Sequence, residues 1–150
     1  MTTIQRINYI KDWIIKYCET MLKKPESLVV GVSGGIDSSV VSTICAQTGI
    51  NTIVVSMPIK QNTSQYILSK EHQEWLKKNY NNIYCYTISL DKIFDEFNKT
   101  LNNFSSELSF ANSRSRLRMV TLYQIAQSRN GLVVGTGNKV EDFGVGFFTK

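Results

Sequence analysis

Residues 28–41 read Leu-Val-Val-Gly-Val-Ser-Gly-Gly-Ile-Asp-Ser-Ser-Val-Val, and this stretch limits the possible folds more than any other. The apolar, β-branched run at 28–32 suits a strand buried on both faces of a parallel sheet. Residues 33–39 then crowd Ser33, Gly34, Gly35, Ile36, Asp37, Ser38 and Ser39 into one polar turn, and apolar residues resume behind it. Gly34 and Gly35 let the backbone approach a ligand closely and adopt positive φ. A helix starting here directs its free N–H groups and positive dipole end at the turn. Strand, polar turn and helix together make a phosphate cradle. It is neither a Gly-x-x-x-x-Gly-Lys-Ser/Thr loop nor a Gly-x-Gly-x-x-Gly fingerprint, since both patterns are absent. A carboxylate beside bound phosphate is repulsive unless a cation lies between them, so Asp37 points to Mg2+. Glycine turns that bind nothing also link strands to helices in α/β proteins, but that alternative leaves Asp37 unexplained.

Hydrophobic spacing extends the unit along the chain. Ile4, Ile7, Ile14, Cys18, Met21 and Leu22 recur at helical intervals, predicting an amphipathic helix over 3–24 that Pro25 ends. Helices are further expected over 38–47, 64–80, 91–101 and 113–128, the last capped by Asn112, with a loop at 102–110. The inner side of the 64–80 helix is expected to be Tyr66, Ile67, Trp75 and Leu76. His72 on the same helix reads as a surface residue remote from the loops. Strands are expected over 28–32, 52–57, 83–88 and 132–135. Alternating strands and helices imply a parallel sheet with helices on both faces and all carboxyl ends at one edge. Residues 33–39, the loop after Met57, and 136–141 would then meet in one cleft.

The second arm of that cleft is Gly135-Thr136-Gly137-Asn138-Lys139-Val140-Glu141, where Thr136 can hydrogen-bond a ligand. Glu141 can offer Mg2+ a second carboxylate opposite Asp37, although it also suits a solvated helix start. Between 108 and 140 there is no acidic residue, while Arg114, Arg116, Arg118, Arg129 and Lys139 all occur, which suggests a second anionic ligand. Arg114 and Arg118 share a helix face and Arg116 points nearly the opposite way, so the three cannot grip one group.

Length and composition set the frame. With 150 residues, 42% of them hydrophobic, the chain suits a single domain, and a net charge of +5 favours anionic ligands without indicating nucleic acid. Three widely spaced cysteines with no Cys-x-x-Cys argue against a zinc site and suit a reducing cytoplasm. Charges throughout the first 24 residues leave no signal peptide or membrane span to be expected there.

The string at 33–39 resembles the pyrophosphate-binding loop of the N-type ATP pyrophosphatases, which cleave ATP between its α- and β-phosphates to adenylate a substrate oxygen. The likeness sharpens further along. Asn112-x-x-x-Arg116-x-Arg118-Met119, Leu122-Tyr123, Gly135-Thr136-Gly137-Asn138-Lys139-x-Glu141 and Gly146-Phe147-Phe148-Thr149-Lys150 together resemble the ammonia-dependent NAD synthetases. The order is kept over nearly the whole chain, including the long first helix.

That resemblance implies a Rossmann-like three-layer α/β fold of the adenine nucleotide alpha hydrolase kind. It also implies a homodimeric ligase making NAD, AMP and pyrophosphate from deamido-NAD, ATP and ammonia. It assigns ATP to Gly31, Val32, Ser33, Gly34, Gly35, Ile36, Asp37, Ser38 and Thr136, deamido-NAD to Arg116 and Lys150, and Mg2+ to Asp37 and Glu141. No nucleophile or obligatory base is implied, because the nicotinate carboxylate is itself the nucleophile. Ammonia rather than glutamine is expected, since no amidase module precedes the first helix.

The sequence departs from the family in having Ser56 where many members have arginine, and in one extra residue between Glu141 and Gly146. Family members also continue beyond the position of Lys150, so a further C-terminal part is expected. The alternatives are another adenylating enzyme of the same superfamily, such as one modifying tRNA, or a non-catalytic adenine-nucleotide-binding module.

Overall fold

A computed structural model describes residues 1–60 and 62–140. In chain order the elements are α1 (Thr3–Thr20), β1 (Ser27–Val32), α2 (Ile36–Gln47), β2 (Asn51–Ser56), α3 (Thr63–Asn79), β3 (Ile83–Thr87), α4 (Asp91–Thr100), a 3-10 turn at Asn102–Phe104, α5 (Glu107–Ser128) and β4 (Gly131–Val133). The four strands form one sheet in the order β3-β2-β1-β4, and every pairing is parallel.

The side-chain alternation of β1 explains the layering. Leu28 and Val30 pack on one face with Ile14 and Cys18 of α1 and Ile44 and Cys45 of α2. Val32 joins Ala46, Val54 and Leu76 of α3 on that same side. Val29 faces the other way, into a cluster with Ile53, Val55, Phe94 of α4 and Ala126 of α5. Helices therefore cover both faces, giving the expected three-layer α/β fold. Leu28, Val29 and Val30 are completely buried, each contributing about 1.5–3 kcal/mol. Among the described residues no helix is long and apolar enough to cross a membrane.

Several boundaries differ from expectation for identifiable reasons. The first helix stops at Thr20 rather than at residue 24; Met21 is already extended, and Leu22 is fully exposed with nothing to pack against. The fifth helix starts at Glu107, so 107–110 is helix and Asn112 lies inside it instead of capping it. Ser106 takes the cap: Ser109 N–H donates to its hydroxyl (3.1 Å), and its own N–H donates to Ser109 Oγ (2.9 Å).

The inner side of α3 is Ser69, Gln73 and Leu76, while Ile67 and Trp75 are exposed. Gln73 earns its interior place by donating to the carbonyls of Val54 (3.2 Å) and Tyr86 (2.9 Å), bridging β2 and β3. β4 runs over Gly131–Val133 rather than 132–135.

Candidate functional site

From β1 the chain moves outward to β2 and β3, then returns to place β4 on the opposite side of β1. The crossovers diverge at that reversal, which opens a crevice beyond the carboxyl ends of β1 and β4, the usual ligand position in open α/β sheets. A cavity of about 480 Å³ lies there. Gly31, Val32, Ser33 and Ser38 form one side, Thr136 another, Met57 sits at the end of β2, and Arg118, Met119 and Leu122 come from α5. Of the three segments expected to meet in a cleft, two contribute to its wall, through Ser33 and Ser38 and through Thr136, whereas Met57 lines it and the described residues of the loop that follows do not.

The β1–α2 turn is held by its own hydroxyls. Ser33 N–H donates to Ser38 Oγ (3.2 Å), Gly35 N–H donates to Ser33 Oγ (3.2 Å), and Ser38 Oγ donates to the Gly35 carbonyl (3.0 Å). Gly34 has φ +89°, and a β-carbon there would overlap the Gln65 carbonyl oxygen of α3. Glycine is therefore required both by conformation and by contact.

Helix α2 begins at Ile36, two residues earlier than expected, with Gly35 as a cap that offers no side chain. Its first-turn N–H groups face the turn and favour an anion. The earlier start puts Asp37 in that first turn. Gly34, Gly35, Ile36 and Asp37 build the turn itself and are not part of the cavity wall.

Asp37 is half-buried, and its Oδ2 accepts from Asn138 Nδ2 at 3.2 Å. This bond ties the β1–α2 turn to the loop after β4, about a hundred residues further on. Asn138 Oδ1 in turn accepts from Val140 N–H (3.0 Å), ordering that loop. Glu141 and Lys150 lie outside the described residues. Among the described residues no three His, Cys, Asp or Glu side chains converge.

The arginines of α5 diverge as their spacing predicts. Arg114 lies over the Phe94 ring, 5.7 Å from its centroid. Arg116 is exposed and does not line the cavity. Arg118 is half-buried and its Nε donates to the Met57 carbonyl (3.0 Å). Burial, with a smaller push from Arg114, lowers the guanidinium's pKa. The family resemblance assigned deamido-NAD to Arg116, and nothing in the sequence set Arg118 apart from the other arginines, because its place in the cavity wall follows from which helix face meets the sheet.

Two further positions change their reading. Ser56 is fully buried with its hydroxyl 3.1 Å from Ser69 Oγ, so it serves the β2–α3 contact instead of facing the cavity. His72 is no simple surface residue, because its Nε2 lies 2.8 Å from Ser42 Oγ of α2 and its ring stacks on Trp75. Desolvation lowers its pKa.

Comparison with known proteins matches this geometry to a family. The sequence model of the NAD synthase family matches residues 6–150. An NH(3)-dependent NAD(+) synthetase of Sulfurisphaera tokodaii is 36% identical over 147 residues, covering 97% of this chain and 50% of the relative. One from Mycoplasma genitalium is 35% identical over 151 residues, covering 98% of this chain and 58% of the relative.

Among solved structures, the NH3-dependent NAD synthetase of Campylobacter jejuni superposes with a TM-score of 0.82 at 28% identity, covering 94% of this chain and 59% of that one. The NMN synthetase of Francisella tularensis gives 0.78 at 34%, covering 96% and 56%. The chain thus spans little more than half the length of the proteins it resembles. A family match over nearly its full extent, on a fold whose loops converge at the switch point, establishes that the chain belongs to the NAD synthase family.

Proposed function

We propose that this chain carries the ATP-binding half-site of an ammonia-dependent NAD synthetase, a ligase converting deamido-NAD, ATP and ammonia to NAD, AMP and pyrophosphate. The observation that most supports the reading is the Asp37–Asn138 hydrogen bond, which holds the β1–α2 turn and the loop after β4 together beside one cavity. Two turns far apart in sequence are thereby held beside a cavity that one ligand could fill.

In this reading a carboxylate oxygen of the nicotinate attacks the α-phosphorus of ATP as the bond to pyrophosphate breaks. Ammonia then attacks the acyl carbon, the bond to AMP breaks, and a proton is lost to solvent as the amide forms. The chain's own contribution is binding and orientation rather than covalent chemistry. The first-turn amides of α2 with Ser33 and Ser38 would receive the departing pyrophosphate, and Thr136 would bind the nucleotide from the opposite wall. Arg116 would hold deamido-NAD outside the ATP cavity, in keeping with its exposure and its absence from the cavity wall, and Lys150 would contact the same substrate.

Asp37, with Glu141 as partner, would hold Mg2+. Hard carboxylate oxygens suit that ion, and the Asn138 amide steadies the Asp37 group it would need. Bound there, Mg2+ neutralises triphosphate charge. A reducing cytoplasm fits the three free thiols, and the homodimer is carried over from the family resemblance.

One comparison favours a second reading of the acceptor. The Francisella protein's name, at 34% identity, makes nicotinate mononucleotide a candidate in place of deamido-NAD. The test is pyrophosphate release by the purified protein with ATP, Mg2+ and ammonia, supplied with each acceptor in turn. Release dependent on deamido-NAD supports the main reading and release dependent on the mononucleotide supports the second. ATP binding without acceptor-dependent release leaves a non-catalytic nucleotide module.

A further inference from the structure

Arg118 is the one charged side chain among the described residues that line the cavity between β1 and α5. Its Nε–H is occupied by the Met57 carbonyl at 3.0 Å, which anchors the guanidinium at the end of β2 and leaves the four N–H donors of its two terminal nitrogens. The ion pairs among the described residues are Lys11–Asp12, Lys60–Asp95, Lys77–Glu74 and Lys99–Glu96, and none includes Arg118. The acidic residue of its own helix, Glu107, sits about three turns away in the first turn.

A half-buried charge without a counter-charge is unfavourable, and an arginine cannot relieve it by losing a proton. Burial and the neighbouring Arg114 both act against the charge, and Arg114 is itself engaged with the Phe94 ring. The rest of the wall offers hydroxyls, backbone and apolar groups, none of which neutralises a cation. Among the described residues nothing supplies the counter-charge, and an anionic ligand in the cavity would supply it.

We propose that Arg118 is a ligand-binding residue of this cavity, gripping a phosphate oxygen of the bound nucleotide while the Met57 carbonyl fixes its orientation. The proposal rests on the nucleotide reading of the cavity. It gives the site a protein cation across from the β1–α2 turn, so phosphate charge would be balanced from the α5 wall as well as by any metal that Asp37 would hold. Planar, always charged and tethered at one nitrogen, an arginine suits this better than lysine.

The test is calorimetric titration of the purified protein with adenosine, AMP and ATP, for the unsubstituted chain, Arg118→Gln and Arg118→Lys, with thermal midpoints recorded alongside. Loss of a charge-assisted hydrogen bond should weaken AMP and ATP about 10-fold or more in Arg118→Gln and leave adenosine unchanged. Arg118→Lys should fall between, again only for the phosphate-bearing ligands. Equal loss for adenosine and ATP would make the residue structural and overturn the proposal, as would ATP binding unaffected in both variants. If Arg118→Gln fails to fold, the lysine variant decides by the same comparison. Failure of the unsubstituted chain to bind any of the three ligands sinks the nucleotide reading and this proposal together. ATP binding that is indifferent to Arg118 sinks this one alone.

Discussion

At Asp37 the chain places a carboxylate where a phosphate is also expected, and the structure keeps it there with one amide from a distant loop. Asp37→Asn keeps the shape and removes the charge, so it should leave the thermal midpoint nearly unchanged while abolishing the Mg2+ dependence of ATP binding. Titrations with and without the ion check this, and normal Mg2+-dependent binding would remove Asp37 from the metal site. Gly34→Ala should cost about 1–3 kcal/mol, because positive φ and the Gln65 carbonyl both exclude a side chain; urea denaturation measures the loss. Arg116→Ala should weaken deamido-NAD more than ATP, and equal losses would make its role structural. The turn was legible in the sequence because its chemistry is local: hydroxyls, glycines and a carboxylate within seven residues. The place of Arg118 in the cavity wall was not, because its contact with the Met57 carbonyl depends on which strand end a helix crosses, and no local pattern encodes that.

Helix α3 shows the same division between local and non-local information. Its sequence suggested an apolar inner side with Ile67 and Trp75, whereas Ser69 and Gln73 face the sheet and satisfy polar groups of β2 and β3. Periodicity reports where apolar residues lie, and cannot reveal that a buried amide has two carbonyls waiting for it. The α5 start was missed for a different reason, since the Ser106–Ser109 capping box lay in a serine-rich stretch that reads equally well as loop.

His72 joins α3 to α2 through Ser42, whose hydroxyl also lies 2.8 Å from the Ser38 carbonyl, so the contact reaches the base of the cradle. Its folded pKa lies below the ordinary 6.5, meaning that the unfolded chain takes up the proton first. Stability is therefore fully present above pH 6.5 and declines as the pH falls from there through the depressed folded value. Because His72 is the single histidine of the chain, His72→Gln should flatten the urea midpoint between pH 7.5 and 5 relative to the unsubstituted protein. An unchanged slope would assign the effect to carboxylates.

Over the whole molecule, the expected three-layer arrangement follows from strands buried on both faces, which β1 and β2 announce by continuous apolar runs. The strand order was not legible, because two strands of similar composition can pair on either side of β1. Leu28 is completely buried in the centre of the sheet, so Leu28→Ala should cost about 2–5 kcal/mol, measured by denaturant unfolding. The same burial governs the thiols: it pushes Cys45 up to about 12 and Cys85 up to about 11, and it raises Cys18. All three should resist a thiol reagent at pH 8 in the native protein and react once it is unfolded. Rapid modification of Cys45 in the folded chain would contradict its place in the core.

The pairing of β1 with β4 has a kinetic meaning. Strands β1, β2 and β3 can assemble from neighbouring segments, but Ser27 and Gly131 meet only after about a hundred intervening residues have been gathered in. Closing so long a loop is entropically slow and wins just three register pairs. Backbone amides of β4 should consequently gain protection from solvent exchange last during refolding and surrender it first in the native state, which would make the crevice beside β1 and β4 the final part of the described fold to form and the earliest to come apart.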